Sequence, residues 1–175
     1  MGDLPPLVLY HKDCNDGFCA AWLFSLHFNT DAEFVAVQYG DAPPGVAGRD
    51  VFILDFSFKR DVLEKMAGEA KTLLVLDHHK TAEADLKGLP YCVFNMNKSG
   101  ARLTWEWIYK FRQQENGVVI PCSWLVDYTE DRDLWRWKLE DSKAISANLF
   151  TYPRVFEVWD EIARMSIQDF AAEGY

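Results

Sequence analysis

The chain has 175 residues, 49% of them hydrophobic and 26% charged, which is the size and composition of a single folded domain and too apolar for a disordered segment. Its 18 Lys and Arg against 27 Asp and Glu give a formal charge of -9, which argues against binding long nucleic acid by neutralising many phosphates, so any anionic substrate needs another source of positive charge. No apolar run approaches the roughly 18 residues of a membrane span, and Pro6 stands where myristoylation of Gly2 would require Ser or Thr, so no membrane anchor is expected. The chain opens on nothing like a signal peptide, and Cys14, Cys19, Cys92 and Cys122 have no CxxC spacing, so reduced thiols in a cytoplasmic protein fit best.

In chain order, five short and nearly continuous apolar runs read as strands covered on both faces: Leu7 to Tyr10, Phe34 to Val37, Val51 to Leu54, Leu73 to Leu76 and Tyr91 to Phe94. The segment from Phe18 to Phe28 is apolar almost all round and reads as a buried helix directly after the first strand. A loop from Gly40 to Gly48 separates the second strand from the third. Between the third and fourth, Val62, Leu63, Met66, Ala67 and Ala70 recur at helical spacing, as a crossover helix should. Beyond Asn95 the pattern turns helical, with Ser99 to Arg112, a stretch around Ser123 to Tyr128, and Pro153 to Met165. The fold class is therefore α/β: a parallel five-stranded sheet with flanking helices, Rossmann-like and three-layered, and a helical C-terminal part. Tryptophans concentrate from Trp105 onward, either as platforms for bases or, as is commoner, to pack helices onto the sheet.

The polar exceptions fall where ligands bind such sheets, beyond the carboxyl ends of the strands. The first strand runs into His11, Asp13 and Asp16 before Gly17, the third into Asp55, and the fourth into Asp77, His78 and His79. Each has a plainer reading. Asp16 can cap its own helix, Asp55 can cap the helix at Lys59 by way of Ser57, and the histidines can be an exposed loop pair. Gathered at one edge, however, the carboxylates repel unless cations neutralise them, and a carboxylate and imidazole set suits two Mn²⁺ or Mg²⁺ ions better than a thiolate zinc site. Ser99 and Gly100, opening a helix after the fifth strand, offer free backbone N–H groups to a phosphate or form an ordinary cap. Arg132 and Lys80 are further basic groups for phosphate, or solvated surface charges.

The series His11-x-Asp13-x-x-Asp16-Gly17, Asp55, Asp77-His78-His79 and Asp131 resembles the four ordered motifs of the DHH phosphoesterase superfamily, in particular its exopolyphosphatase-like and oligoribonuclease-like branch. The resemblance implies a catalytic domain over residues 1–160, with 161–175 as the start of a helical linker to a second domain. It implies two Mn²⁺ ions, with Mg²⁺ as the alternative, one held by His11, Asp13 and Asp55 and the other by Asp16, Asp55, His78 and Asp131. Asp133 is the alternative to Asp131, and Asp127 a weaker one. Asp77 would orient His78 or approach the metals, and His79 would reach a phosphate oxygen or the leaving group.

The implied activity is hydrolysis of phosphodiester or phosphoanhydride bonds in a nucleotide, short oligonucleotide or polyphosphate, with a homodimer as the candidate assembly. Two features depart from the family pattern. One extra residue separates Asp13 from Asp16, and the chain stops at Gly174-Tyr175 without a Gly-Gly-His-type substrate motif, so weak and poorly selective hydrolysis is expected. The competing reading is a non-catalytic nucleotide- or metal-binding module built on this fold.

Overall fold

The computed structural model describes residues 4–28 and 31–173. Strands β1 (Leu7–His11), β2 (Glu33–Val37), β3 (Asp50–Leu54), β4 (Thr72–Asp77) and β5 (Cys92–Phe94) form one parallel sheet in the order β2-β1-β3-β4-β5. All five coincide with the apolar runs, and the inner strands β1, β3 and β4 are the ones that bury both faces. Leu7, Leu9, Val51, Ile53 and Val75 point to one face, against Leu63 and Met66 of α2 (Arg60–Glu69) and Leu86 of α3 (Lys80–Leu86). Val8, Leu54 and Leu76 point to the other, against Ala20 and Phe24 of α1 (Asn15–Phe28) and Leu103 of α4 (Gly100–Asn116). The alternation of period two thus produces the three layers.

α1 begins at Asn15, three positions before the apolar run that announced it, so Asp16 lies within its first turn. The C-terminal helices α5 (Trp124–Asp133), α6 (Ser142–Leu149), α7 (Phe156–Arg164) and α8 (Ile167–Glu173) close over the outer side of α1. Trp22, Leu23, Ile108, Leu125, Ile145, Trp159 and Phe170 share that core, and each large side chain fully buried there stabilises by about 1.5–3 kcal/mol. The expected linker from residue 161 is not a linker. Ile162, Phe170 and Ala171 are buried, and Asn148 Nδ2 donates to the Phe170 carbonyl at 3.0 Å, so α7 and α8 belong to the same body as the sheet. Among the described residues no helix is long and apolar enough to cross a membrane, and the four cysteines are free.

β1 is flanked by β2 on one side and β3 on the other, so the chain leaves it outward in both directions and a crevice opens between the carboxyl ends of β1 and β3. The candidate residues converge on that crevice.

Candidate metal centre

Asp55 sits at the middle of the cluster. It follows β3 in a left-handed conformation (φ 56°), which a short carboxylate side chain tolerates, and it is 1% exposed. His78 Nε2 lies 3.1 Å from its Oδ1 and His11 Nδ1 lies 3.4 Å from its Oδ2, yet neither approach has hydrogen-bond alignment, and both Asp55 oxygens and His11 Nδ1 are buried without a hydrogen-bond partner. Buried polar atoms are almost always satisfied, so three orphans on one cluster point to a missing partner.

The donors form two groups that share Asp55. His11, Asp55 and His79 make one, and Asp16, Asp55 and His78 the other, the donor atoms of each lying within 4.8 Å of one another. Asp133 joins the second through its Oδ2, 3.4 Å from His78 Nε2. Neutral imidazoles and carboxylates are the donor types that Mn²⁺ and Mg²⁺ take, and a carboxylate with two free oxygens shared between two donor groups fits a pair of divalent ions.

The electrostatics agree with that donor chemistry. Burial, then the negative charges of Asp55 and Asp133, push the Asp16 carboxyl well above the usual range, and Asp133 is raised by burial and by Asp55. Burial also works to raise Asp55, but the His11 and His78 imidazoles outweigh it and hold the carboxyl below the usual range. His78 is desolvated, which disfavours its charge, but the surrounding carboxylates overcome this and push it up to about 9. Without a cation, therefore, the cluster recruits protons to offset its negative charge.

Supporting contacts fix these side chains. Asp77 is fully buried; its Oδ1 accepts from the His78 and His79 backbone N–H groups at 2.7 and 3.2 Å and contacts His79 Nδ1 at 2.6 Å. Its Oδ2 accepts from Ser57 Oγ at 2.6 Å, so Ser57 serves Asp77 and does not link Asp55 to α2, whose Lys59 cap carries no side-chain bond. Asp77 thus orients His79, is not itself one of the grouped donors, and leaves Nε2 as the ring nitrogen free for a ligand. His78 and His79 are not an exposed loop pair: the His78 side chain is only 10% exposed.

Asp16 does not cap its own helix. Its carboxylate caps α4 instead, accepting from Gly100 N at 2.6 Å and Ala101 N at 2.8 Å. This overturns the expected phosphate site at Ser99 and Gly100: Asp16 already occupies those N–H groups, Ser99 Oγ accepts from Arg102 N at 3.2 Å, and both residues are buried. Two glycines permit the close packing. A Cβ on Gly17 would lie 2.6 Å from the His11 carbonyl oxygen, and one on Gly100 2.4 Å from Asp55 Cβ.

Asp131 is likewise corrected. Its carboxylate is spent on Ser142 Oγ at 2.6 Å and on the Lys138 and Leu139 N–H groups at 3.0 and 3.3 Å, facing away from the donor groups, whereas Asp133 faces them. Asp127 is bonded to Arg102. Asp13 is exposed and joins neither donor group, but it lines a cavity of about 220 Å³ with Asp16, Asp133, Arg132 and Phe150. Arg132 thus brings a guanidinium to the wall of that cavity. Sequence reasoning missed Arg154, whose Nε donates to Asn15 Oδ1 at 2.9 Å and Nη2 to the Asp13 carbonyl at 3.2 Å. It clamps the β1–α1 turn from the far end of the chain, and no local pattern signals that.

No protein-family model matches the chain. An uncharacterized protein of Acanthamoeba polyphaga mimivirus is 26% identical to it over a 192-residue alignment covering 98% of this chain and 43% of that protein. The crystal structure of an uncharacterized protein from Helicobacter pylori G27 matches with a TM-score of 0.72 at 12% identity, over 97% of this chain and 60% of that one. The chain therefore spans less than two thirds of either relative. The structural likeness shows the fold: a three-layer α/β arrangement with a helical C-terminal part.

Proposed function

We propose that this chain is a metal-dependent phosphoesterase domain of the DHH kind, hydrolysing phosphodiester or phosphoanhydride bonds in small phosphorylated substrates. The observation that carries the reading is Asp55, a buried carboxylate with both oxygens unbonded and two histidine-containing donor groups on either side. In this reading one Mn²⁺ or Mg²⁺ is held by His11, Asp55 and His79, and a second by Asp16, Asp55, His78 and Asp133. Bound cations supply an activated water and positive charge opposite the phosphoryl oxygens. Hydrolysis then adds the oxygen of water to phosphorus and breaks the bond to the leaving oxygen, which takes up a proton.

The chain's own residues prepare the site. Asp77 fixes the His79 ring through Nδ1, and α4 holds Asp16 in place through two backbone N–H groups. Arg132, at the wall of the cavity beside Asp133, offers a planar guanidinium to a phosphate and supplies cationic charge that the chain's overall balance lacks. A cavity of about 220 Å³ suits a small phosphorylated group. A cytoplasmic location fits the four free cysteines.

The test is a calorimetric titration of EDTA-stripped protein with Mn²⁺, followed by hydrolysis of bis(p-nitrophenyl) phosphate. Two equivalents should bind the parent, Asp55→Ala should abolish ordered binding and hydrolysis together, and Asp133→Asn should weaken one equivalent and spare the other. Binding that is indifferent to Asp55→Ala would overturn the metal centre. Two tightly bound equivalents without turnover of any phosphoester would leave the binding-module reading in its place.

A further inference from the structure

The loop after α5 carries strain that packing does not explain. Trp135, Trp137 and Asp141 all have left-handed backbone, with φ of 53°, 50° and 54°. Aspartate tolerates that region, whereas a bulky aromatic is strained there, and two tryptophans so placed within three residues are unusual. Asp131 holds the loop in this shape. Its carboxylate accepts from Lys138 N, Leu139 N and Ser142 Oγ, and its carbonyl accepts from Arg136 N at 2.9 Å and Trp137 N at 3.4 Å. Strained aromatic positions are ordinarily compensated by burial, but Trp135 remains 71% exposed.

The exposed indole is linked to the candidate centre through Arg132, which lines its cavity. Trp135 follows Asp133 by two residues, and the Arg132 guanidinium lies 5.7 Å from its ring centroid and 5.1 Å from that of Phe150. Phe150 is itself 47% exposed and lines the same cavity as Arg132, Asp16 and Asp133. Trp137 meets Trp135 edge-on at 5.6 Å. A cation that can bind phosphate is thereby set between two exposed aromatic rings, beside a group of metal-type donors. Aromatic faces stack planar heterocycles, and they offer nothing comparable to a bare phosphate chain.

We propose that Trp135, with Arg132 and Phe150, is a recognition subsite for the base of a nucleotide, so that the phosphorylated ligands of this centre are nucleotides in preference to polyphosphates or sugar phosphates. Trp135 is then a specificity-determining residue, and Asp131 is the positioning residue that holds its loop. The inference rests on reading the centre as a phosphate-handling site, but it does not depend on turnover. An exposed tryptophan can also mark a protein interface, and the experiment separates the two.

AMP and ribose 5-phosphate present the same phosphate with and without a base. Their dissociation constants should be measured for the parent and for Trp135→Ala, with Mn²⁺ and again with EDTA, while released phosphate is monitored. The parent should prefer AMP, and Trp135→Ala should weaken AMP by about 5- to 150-fold, the range of one lost base stack, with ribose 5-phosphate unchanged. Trp135→Phe should restore most of the preference. Trp135→Gly should melt no lower than the parent, because glycine relieves the backbone strain, which shows that lost binding is not lost folding. Equal weakening of both ligands, or no effect on AMP, would overturn the subsite and assign the indole to a protein partner. A base-dependent preference in a protein that hydrolyses nothing would uphold the subsite and sink the hydrolase.

Discussion

Replacing Gly100 with alanine tests whether α4 is seated on the candidate metal centre as closely as its geometry indicates. The added Cβ would lie 2.4 Å from Asp55 Cβ, 2.8 Å from Asp55 Oδ1 and 2.9 Å from Asp55 Cα. Two of those atoms move only with the backbone, so no rotamer of Asp55 clears the contact and α4 must back away. The Gly100 and Ala101 N–H bonds to Asp16, now 2.6 and 2.8 Å, then lengthen. Overpacking costs about 1–3 kcal/mol, and the full loss of one such bond about 0.5–1.5 kcal/mol, together about 1.5–4.5 kcal/mol. At about 2–4 °C per kcal/mol for a chain of this length, the melting midpoint should fall by at least about 3 °C. Mn²⁺ affinity should fall with it, since both Asp16 and Asp55 shift. Gly68→Ala is the matched control: Gly68 is exposed in α2 with nothing within 4 Å of the added carbon, so it should stabilise by about 0.4–1 kcal/mol. A Gly100→Ala protein that melts within about 2 °C of the parent and binds Mn²⁺ equally well would refute the close seating.

Two further changes probe the supporting contacts. Burial alone would raise the Asp131 carboxyl, but the bonds from Ser142, Lys138 and Leu139 outweigh it and hold it below the usual range. The unfolded chain therefore binds the proton first as the pH falls. The stability contributed by Asp131 is complete above the unfolded value near 4 and is lost as pH drops through the lower folded value. Asp131→Asn should lower the melting midpoint at pH 7 and flatten its decline between pH 5 and 3; parallel curves for parent and variant would contradict this. Ser57→Ala should cost about 1–3 kcal/mol in urea denaturation, because it strips the bond to Oδ2 of a fully buried Asp77, and an unchanged midpoint would show that the bond contributes nothing.

The sheet was legible because a strand buried on both faces leaves a nearly continuous apolar run, and Leu7 to Tyr10 or Leu73 to Leu76 can hardly be anything else. α3 and α6 were not, since Lys80–Leu86 buries only Leu86, and Ser142–Leu149 is short and buries the polar Ser142 and Asn148 beside Ile145 and Leu149. The strand-end residues His11, Asp16, Asp55 and His78 were legible as polar exceptions at the ends of apolar strands. The choice between Asp131 and Asp133 was not. Two residues apart on a helix they face nearly opposite ways, and α5 buries Leu125, Val126, Tyr128, Thr129, Glu130 and Asp131, leaving no apolar stripe from which to judge its rotation. The Asp16–α4 contact escaped for a different reason: it joins residues 84 apart, and local capping rules see only neighbours.

The Asp16–α4 contact also sets the charge balance of the crevice. The first turn of α4 directs the partial positive charge of a 17-residue helix at Asp16, and through it at the carboxylates beside it. The fold thus carries a permanent fractional counter-charge of its own, laid down in the backbone and independent of ion supply. A nascent chain can therefore close its acidic crevice against a smaller repulsion, with protons offsetting the remainder as long as no cation is bound.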